Sequence, residues 1–169
     1  MLGVHLLSKD YDREEFRRYL EKSPFPKEER EGWFWLDKNT HGVKIAYTGS
    51  PDILPLYGTN FKNRAIYVSV NKVQPVKLHL FPDARYIWRG DFVELHNDLE
   101  KDGNYRQGPD YFTWQENLKK ENIDYLFIYA YHQVKHPVFP VEYKWATEHP
   151  DIFQESFSNN RIHIYKIIR

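Results

Sequence analysis

The feature that most constrains the fold is the run Tyr125-Leu126-Phe127-Ile128-Tyr129-Ala130-Tyr131. It is almost continuously apolar and rich in aromatic residues. A strand with one wet face alternates apolar and polar residues, so an unbroken run points to a strand covered on both faces, as in parallel sheets. The segments around it supply the covering helices. Gly108-Pro109-Asp110 has the proline and acidic residue of a helix start, and Tyr111, Trp114 and Leu118 then share one helical face up to about Glu121. A short helix opens at Pro140 and ends before His149-Pro150.

Upstream, residues 10–22 read as a helix. Acidic residues crowd its start, basic ones follow, and Phe16, Tyr19 and Leu20 fall at i, i+3, i+4. Ser23-Pro24-Phe25-Pro26 breaks it, and a second helix is expected from Lys27 to about Lys38. Residues 43–47 and 65–70 have the β-branched and aromatic content of strands. Residues 153–157 and 161–168 read as a hairpin around Ser158-Asn159-Asn160. Short strands are also expected at 76–81 and 85–88, with a polar loop or short helix at 91–104.

Strands alternating with helices predict an α/β fold: a Rossmann-like open, mainly parallel sheet with helices on both faces and a C-terminal antiparallel hairpin. The chain of 169 residues fits one domain. Residues 1–42 form an N-terminal helical segment packed on an α/β domain at 43–169, which carries an insertion at about 72–108.

Charge narrows the partners. The chain has 24 Lys+Arg against 24 Asp+Glu, whereas a nucleic-acid binder usually has a basic excess, so nucleic acid is not expected as a partner. There is no cysteine, which excludes disulfides, thiolate metal sites and a Cys nucleophile. No segment approaches the ~18 apolar residues of a membrane span, and the start lacks the pattern of a signal peptide.

Open parallel sheets bind ligands beyond the carboxyl ends of their strands. The loops expected there are 48–58 and 131–140, and they make Thr48, Asp52, Tyr57, Tyr131 and His132 the candidate ligand-binding residues. Solvated connections would look the same. The first loop has glycines only at Gly49 and Gly58, which matches neither the dinucleotide nor the phosphate-loop spacing, and no cofactor is expected. His132 and His136 lie four apart before Pro137, but in a loop with only Glu142 near in sequence, so no metal is expected. Asp91 and Glu94 have nothing beside them in sequence to shift a pKa. No nucleophile elbow occurs, and no catalytic residue is assigned. Aromatics make up 17% of the chain, and such faces either pack a core or stack on sugar rings.

Several phrases together resemble a known family. They are Gly32-Trp33-Phe34-Trp35-Leu36-Asp37-Lys38-Asn39-Thr40, Lys44-Ile45-Ala46-Tyr47-Thr48-Gly49, Leu54-Pro55-Leu56-Tyr57-Gly58, Asn63-Arg64-Ala65-Ile66-Tyr67-Val68 and Asn117-Leu118-Lys119-Lys120-Glu121-Asn122-Ile123-Asp124-Tyr125-Leu126-Phe127-Ile128. Glu142-Tyr143-Lys144-Trp145-Ala146-Thr147-Glu148-His149-Pro150, then Phe153, and then Arg161-Ile162-His163-Ile164-Tyr165-Lys166-Ile167 close the set. In this order they resemble the C-terminal soluble domain of prokaryotic membrane glycosyltransferases related to dolichyl-phosphate-mannose-protein mannosyltransferases. Residues 72–104 fit the pattern poorly.

The resemblance implies an extracytoplasmic, non-catalytic accessory domain of an enzyme that uses polyprenyl-phosphate sugars. Its partners would be the membrane-embedded portion or a glycan or protein acceptor. The isolated chain would transfer no sugar, because the family's catalytic acidic residue lies in a loop between membrane spans. The alternative is a free-standing soluble protein that binds a carbohydrate or small ligand, cytoplasmic because no signal peptide is present. A small enzyme acting through Asp52, His132 or Glu142 is a third reading, and it lacks a complete set of catalytic groups.

Overall fold

Each helix is set by local chemistry and held by one apolar face. The structure, a computed structural model, describes residues 13–48, 53–73, 106, 108–130 and 137–169. Helix α1 (Arg13–Lys22) has Glu14 and Glu15 in its first turn and Lys22 in its last, which complements the helix dipole. It buries Phe16 and Leu20, four residues apart, while Arg17–Glu21 and Arg18–Glu14 pair on the exposed side. Helix α2 (Lys27–Asn39) follows Pro26 and buries Gly32, Trp33 and Leu36. It stops where the Thr40 N–H and hydroxyl both donate to the Leu36 carbonyl. Gly32 lets α2 lie close on the sheet: a Cβ there would meet Ile162 Cγ2 at 2.8 Å and Phe127 Cζ at 3.0 Å.

Strand β1 (Lys44–Thr48) leads through two short 3-10 turns, Leu54–Tyr57 and Thr59–Phe61, to β2 (Arg64–Tyr67). Helix α3 (Tyr111–Glu121) starts at Asp110, whose carboxylate accepts the Thr113 N–H at 2.7 Å. It ends at Asn122 in the left-handed region, with φ 55°. Then come β3 (Tyr125–Tyr129), α4 (Val141–Glu148), β4 (Phe153–Ser158) and β5 (Ile162–Ile167).

The five strands among the described residues form one mixed sheet in the order β2-β1-β3-β5-β4. β1 pairs in parallel with β2 and β3, and β5 pairs antiparallel with β3 and β4. The expectation of a Rossmann-like, mainly parallel sheet is therefore corrected: two of the four pairings are antiparallel. The physical reason is the hairpin. Its second strand, β5, inserts beside β3, so the whole β3–β5–β4 half of the sheet runs on antiparallel ladders. The expected strands at 76–81 and 85–88 and the segment 91–104 lie outside the described residues.

The alternation of side chains along the strands divides the core in two. Ile45, Tyr47, Phe127, Tyr129, Ile162 and Ile164 face α1 and α2, where they meet Phe16, Leu20, Trp33 and Leu36. Ala46, Leu126, Ile128 and Tyr165 face the other way, onto Trp114 and Leu118 of α3 and Trp145 of α4. The run around β3 is apolar because both of its faces are covered. The Trp33 indole N–H donates to the Tyr129 hydroxyl at 2.8 Å, which satisfies both buried polar tips between α2 and β3.

Candidate functional site at the carboxyl ends of the parallel strands

β1 and β2 run parallel and end side by side, at Thr48 and Tyr67. Thr48 is the last residue of β1 and is buried. Its hydroxyl donates to Glu142 Oε1 at 3.0 Å. Glu142 is the second residue of α4 and only 1% exposed, so its carboxylate lies inside the protein at a helix N-terminal turn. Such a charge requires donors, and Arg106 supplies them. Its Nη1 donates to Glu142 Oε1 and its Nη2 to Oε2, each at 2.8 Å, in a two-pronged ion pair. The same Nη1 donates to the Tyr67 hydroxyl at 3.0 Å. One guanidinium thus joins β2 to α4, and one carboxylate joins α4 to β1.

A sheath of tyrosines borders this pair. The Tyr47 and Tyr67 rings lie 6.2 Å apart, edge to face. Burial, and then the neighbouring Tyr57 and Tyr67 hydroxyls, push the Tyr47 phenol well above its ordinary value, so it stays neutral. Tyr57 sits at the end of the first 3-10 turn, half-buried, with its ring 6.2 Å from that of Phe61. A void of about 10 Å³ lies between Thr48, Val68, Trp114 and Glu142, room for about one water.

A second polar cluster fixes the loop between β1 and β2. Asp37, near the end of α2, accepts the Thr59 N–H at 2.8 Å and pairs with Lys62 Nζ at 3.0 Å. Lys62 Nζ also donates to the Asp37 carbonyl. Asn63 Nδ2 donates to Thr40 Oγ1 at 2.9 Å. This arrangement holds the 3-10 turns, and Tyr57 with them, against the end of α2. Gly58 is required there: it has φ 65° and ψ −173°, and a Cβ would fall 2.9 Å from Asp37 Oδ1.

Of the residues expected at the site, Thr48 lies at its centre, whereas the Tyr57 carbonyl accepts the Asn63 N–H at 3.1 Å, which sets its backbone beside the start of β2, away from the Thr48 end. Asp52, Tyr131 and His132 lie outside the described residues. Sequence reasoning named Glu142 as the acid nearest the histidines and as one candidate of the small-enzyme reading, but not as the partner of Thr48, and it missed Arg106 altogether. No motif marks Arg106, which follows a long polar stretch. Among the described residues no group of histidines and acids is arranged to hold a metal.

Chemically, the Glu142 oxygens are engaged by Arg106 and Thr48. The arrangement fixes the ends of β1, β2 and α4 relative to one another, and the Thr48, Tyr47 and Tyr67 side chains beside it are buried. Fold and site together define a mixed five-stranded α/β domain with a braced polar end. Comparison with known families, curated proteins and solved structures finds no match to the chain. No helix among the described residues is long and apolar enough to cross a membrane.

Proposed function

We propose that the chain is a non-catalytic recognition domain of a polyprenyl-phosphate-sugar-dependent membrane glycosyltransferase, and that it binds the acceptor at the carboxyl ends of β1 and β2. The observation that carries the reading is the Arg106–Glu142 brace with Thr48 and Tyr67 around it. The frame is buried, so its part in the reading is to hold the ends of β1, β2 and α4 in place beneath an acceptor bound over them. Support for the enzyme context and an extracytoplasmic location comes from the resemblance of the sequence phrases to that family alone.

The test is a titration of the isotope-labelled chain with mannose, mannobiose and a mannosylated peptide, followed by NMR. Amide shifts should gather at Thr48, Tyr67 and Val68, and Tyr67→Phe, which removes the hydroxyl that Arg106 binds, should weaken them. No shift with any of the three ligands overturns the binding reading. Incubated with a polyprenyl-phosphate sugar and a peptide acceptor, the chain alone should transfer nothing, and measurable turnover overturns the non-catalytic reading. A second reading, a free-standing carbohydrate- or small-ligand-binding protein, draws on the fact that every group of the brace belongs to this chain. It predicts the same shifts, with transfer by the membrane enzyme unaffected when the chain is added.

A further inference from the structure

At the opposite end of the sheet, where β1 and β3 begin, lies an open cavity of about 470 Å³. This is within the range of roughly 300–1,000 Å³ typical of small-molecule sites. Its construction follows from the sequence. Leu118, Lys119 and Asn122 fall at i, i+1 and i+4 on one face of α3, and the left-handed turn at Asn122 carries the chain inward to Ile123. Across from them stands the open end of the β4–β5 hairpin, which the Ile168 N–H closes by donating to the Ile152 carbonyl at 2.8 Å.

The floor is buried and apolar: Leu118, Ile123 and Phe153 are each no more than 3% exposed. Ile168, 42% exposed, forms part of the mouth. Among the described residues, the charged members of the lining are Lys119 and Arg169, and no acidic side chain lines the cavity. Arg169 is held in place because its Nη2 donates to the Ile123 carbonyl at 3.1 Å and to Asp124 Oδ1 at 3.2 Å. Asp124 offsets part of that charge, whereas Lys119 is exposed and has no ion-pair partner among the described residues.

We propose that this cavity binds a single-chain amphiphile with an anionic head: the apolar tail lies against Leu118, Ile123 and Phe153, and the head meets Lys119 and the outer edge of Arg169. An apolar floor with cations confined to the rim discriminates by charge as well as by shape. This site is independent of the carboxyl-end reading, since it shares no residue with it.

The test compares decanoate, decanol and decyltrimethylammonium as probes of the full chain, by NMR titration. Decanoate should bind most tightly and shift Leu118, Ile123, Phe153 and Ile168. Lys119→Glu lies on the exposed face of α3 and should leave the fold intact. It should weaken decanoate by at least roughly threefold, the size of one lost surface charge pair, and narrow or reverse its advantage over the ammonium probe. Ile168→Glu places a charge at the mouth and should weaken decanoate further. Equal binding of all three probes overturns the anionic head. Shifts elsewhere in the chain, unchanged affinity in both variants, or binding to anionic vesicles without any response to decanoate overturns the site.

Discussion

A carboxylate that is 1% exposed survives inside a protein only while its donors stay in place. Glu142 is held by Arg106 and Thr48, and removing one member of the ion pair leaves the other buried without its counter-charge. Glu142→Gln is expected to lower stability by about 3–5 kcal/mol, the usual size for breaking a buried pair. Replacing both residues with apolar ones of similar volume should lose much less than the sum of the single changes, because no stranded charge remains. Urea unfolding midpoints for the singles and the double settle the matter, and additive losses would mean the two residues act separately. Gly32 poses a smaller contest. Alanine favours a helix by about 1 kcal/mol over glycine, but the new Cβ would press on Ile162 at 2.8 Å and Phe127 at 3.0 Å. Overpacking of this kind typically takes about 1–3 kcal/mol, so Gly32→Ala should be destabilising on balance. A raised melting temperature would show that Ile162 moves aside freely.

Between elements, the latch from α2 to the 3-10 turns turns on one acid. Burial raises the Asp37 carboxyl pKa, but the Thr59 N–H, the Lys62 ammonium and the Thr59 hydroxyl outweigh it, and the group titrates below its ordinary 3.8. A folded pKa below the unfolded one means that the charged form stabilises the fold above about pH 4. That contribution disappears as pH falls from 3.8 through the lower folded value. Asp37→Asn should therefore lower stability at neutral pH and flatten the acid limb of the stability curve. If the wild-type and variant curves stay parallel from pH 5 to pH 2, the latch is not the source of acid sensitivity.

The same scale shows what the sequence could express. α3 was legible because Asp110 caps it and Tyr111, Trp114 and Leu118 share a face. β3 was legible as a strand, but its pairing was not. An unbroken apolar run reports that both faces are covered, and that is met equally by a parallel neighbour on one side and an antiparallel one on the other. The insertion of β5 beside β3 is a long-range choice with no local signature. The position of Thr48 at the carboxyl end of β1 was legible because it closes that strand, whereas that of Tyr57 was not, because the loop turns back and sets its carbonyl on the Asn63 N–H ahead of β2. Arg106 was not, because its partners Tyr67 and Glu142 lie 39 and 36 residues away.

For the molecule as a whole, the sheet order separates a protected centre from the outer strands β2 and β4. Among the described residues, β1, β3 and β5 each have strand neighbours on both sides, whereas β2 and β4 have one each. β3 is also covered on both faces, by Phe127 and Tyr129 toward one pair of helices and Leu126 and Ile128 toward the other. Its amides can open only when both cores and both ladders open, which amounts to global unfolding. Hydrogen exchange should accordingly place Leu126, Phe127 and Ile128 in the slowest class. The edge strand β4, with its register shift between Glu155 and Phe157, should exchange through smaller openings. α1 holds on mainly by Phe16 and Leu20, and should fray before the sheet. A graded denaturant series distinguishes the cases. If β3 and α1 merge into one isotherm at low denaturant, the helix is part of the same cooperative unit as the centre. If α1 exchanges with little dependence on denaturant while β3 follows the global slope, the layered architecture sets the order of unfolding. In that case the braced end at Thr48 and Glu142, anchored in β1, stays formed after the outer helix is lost.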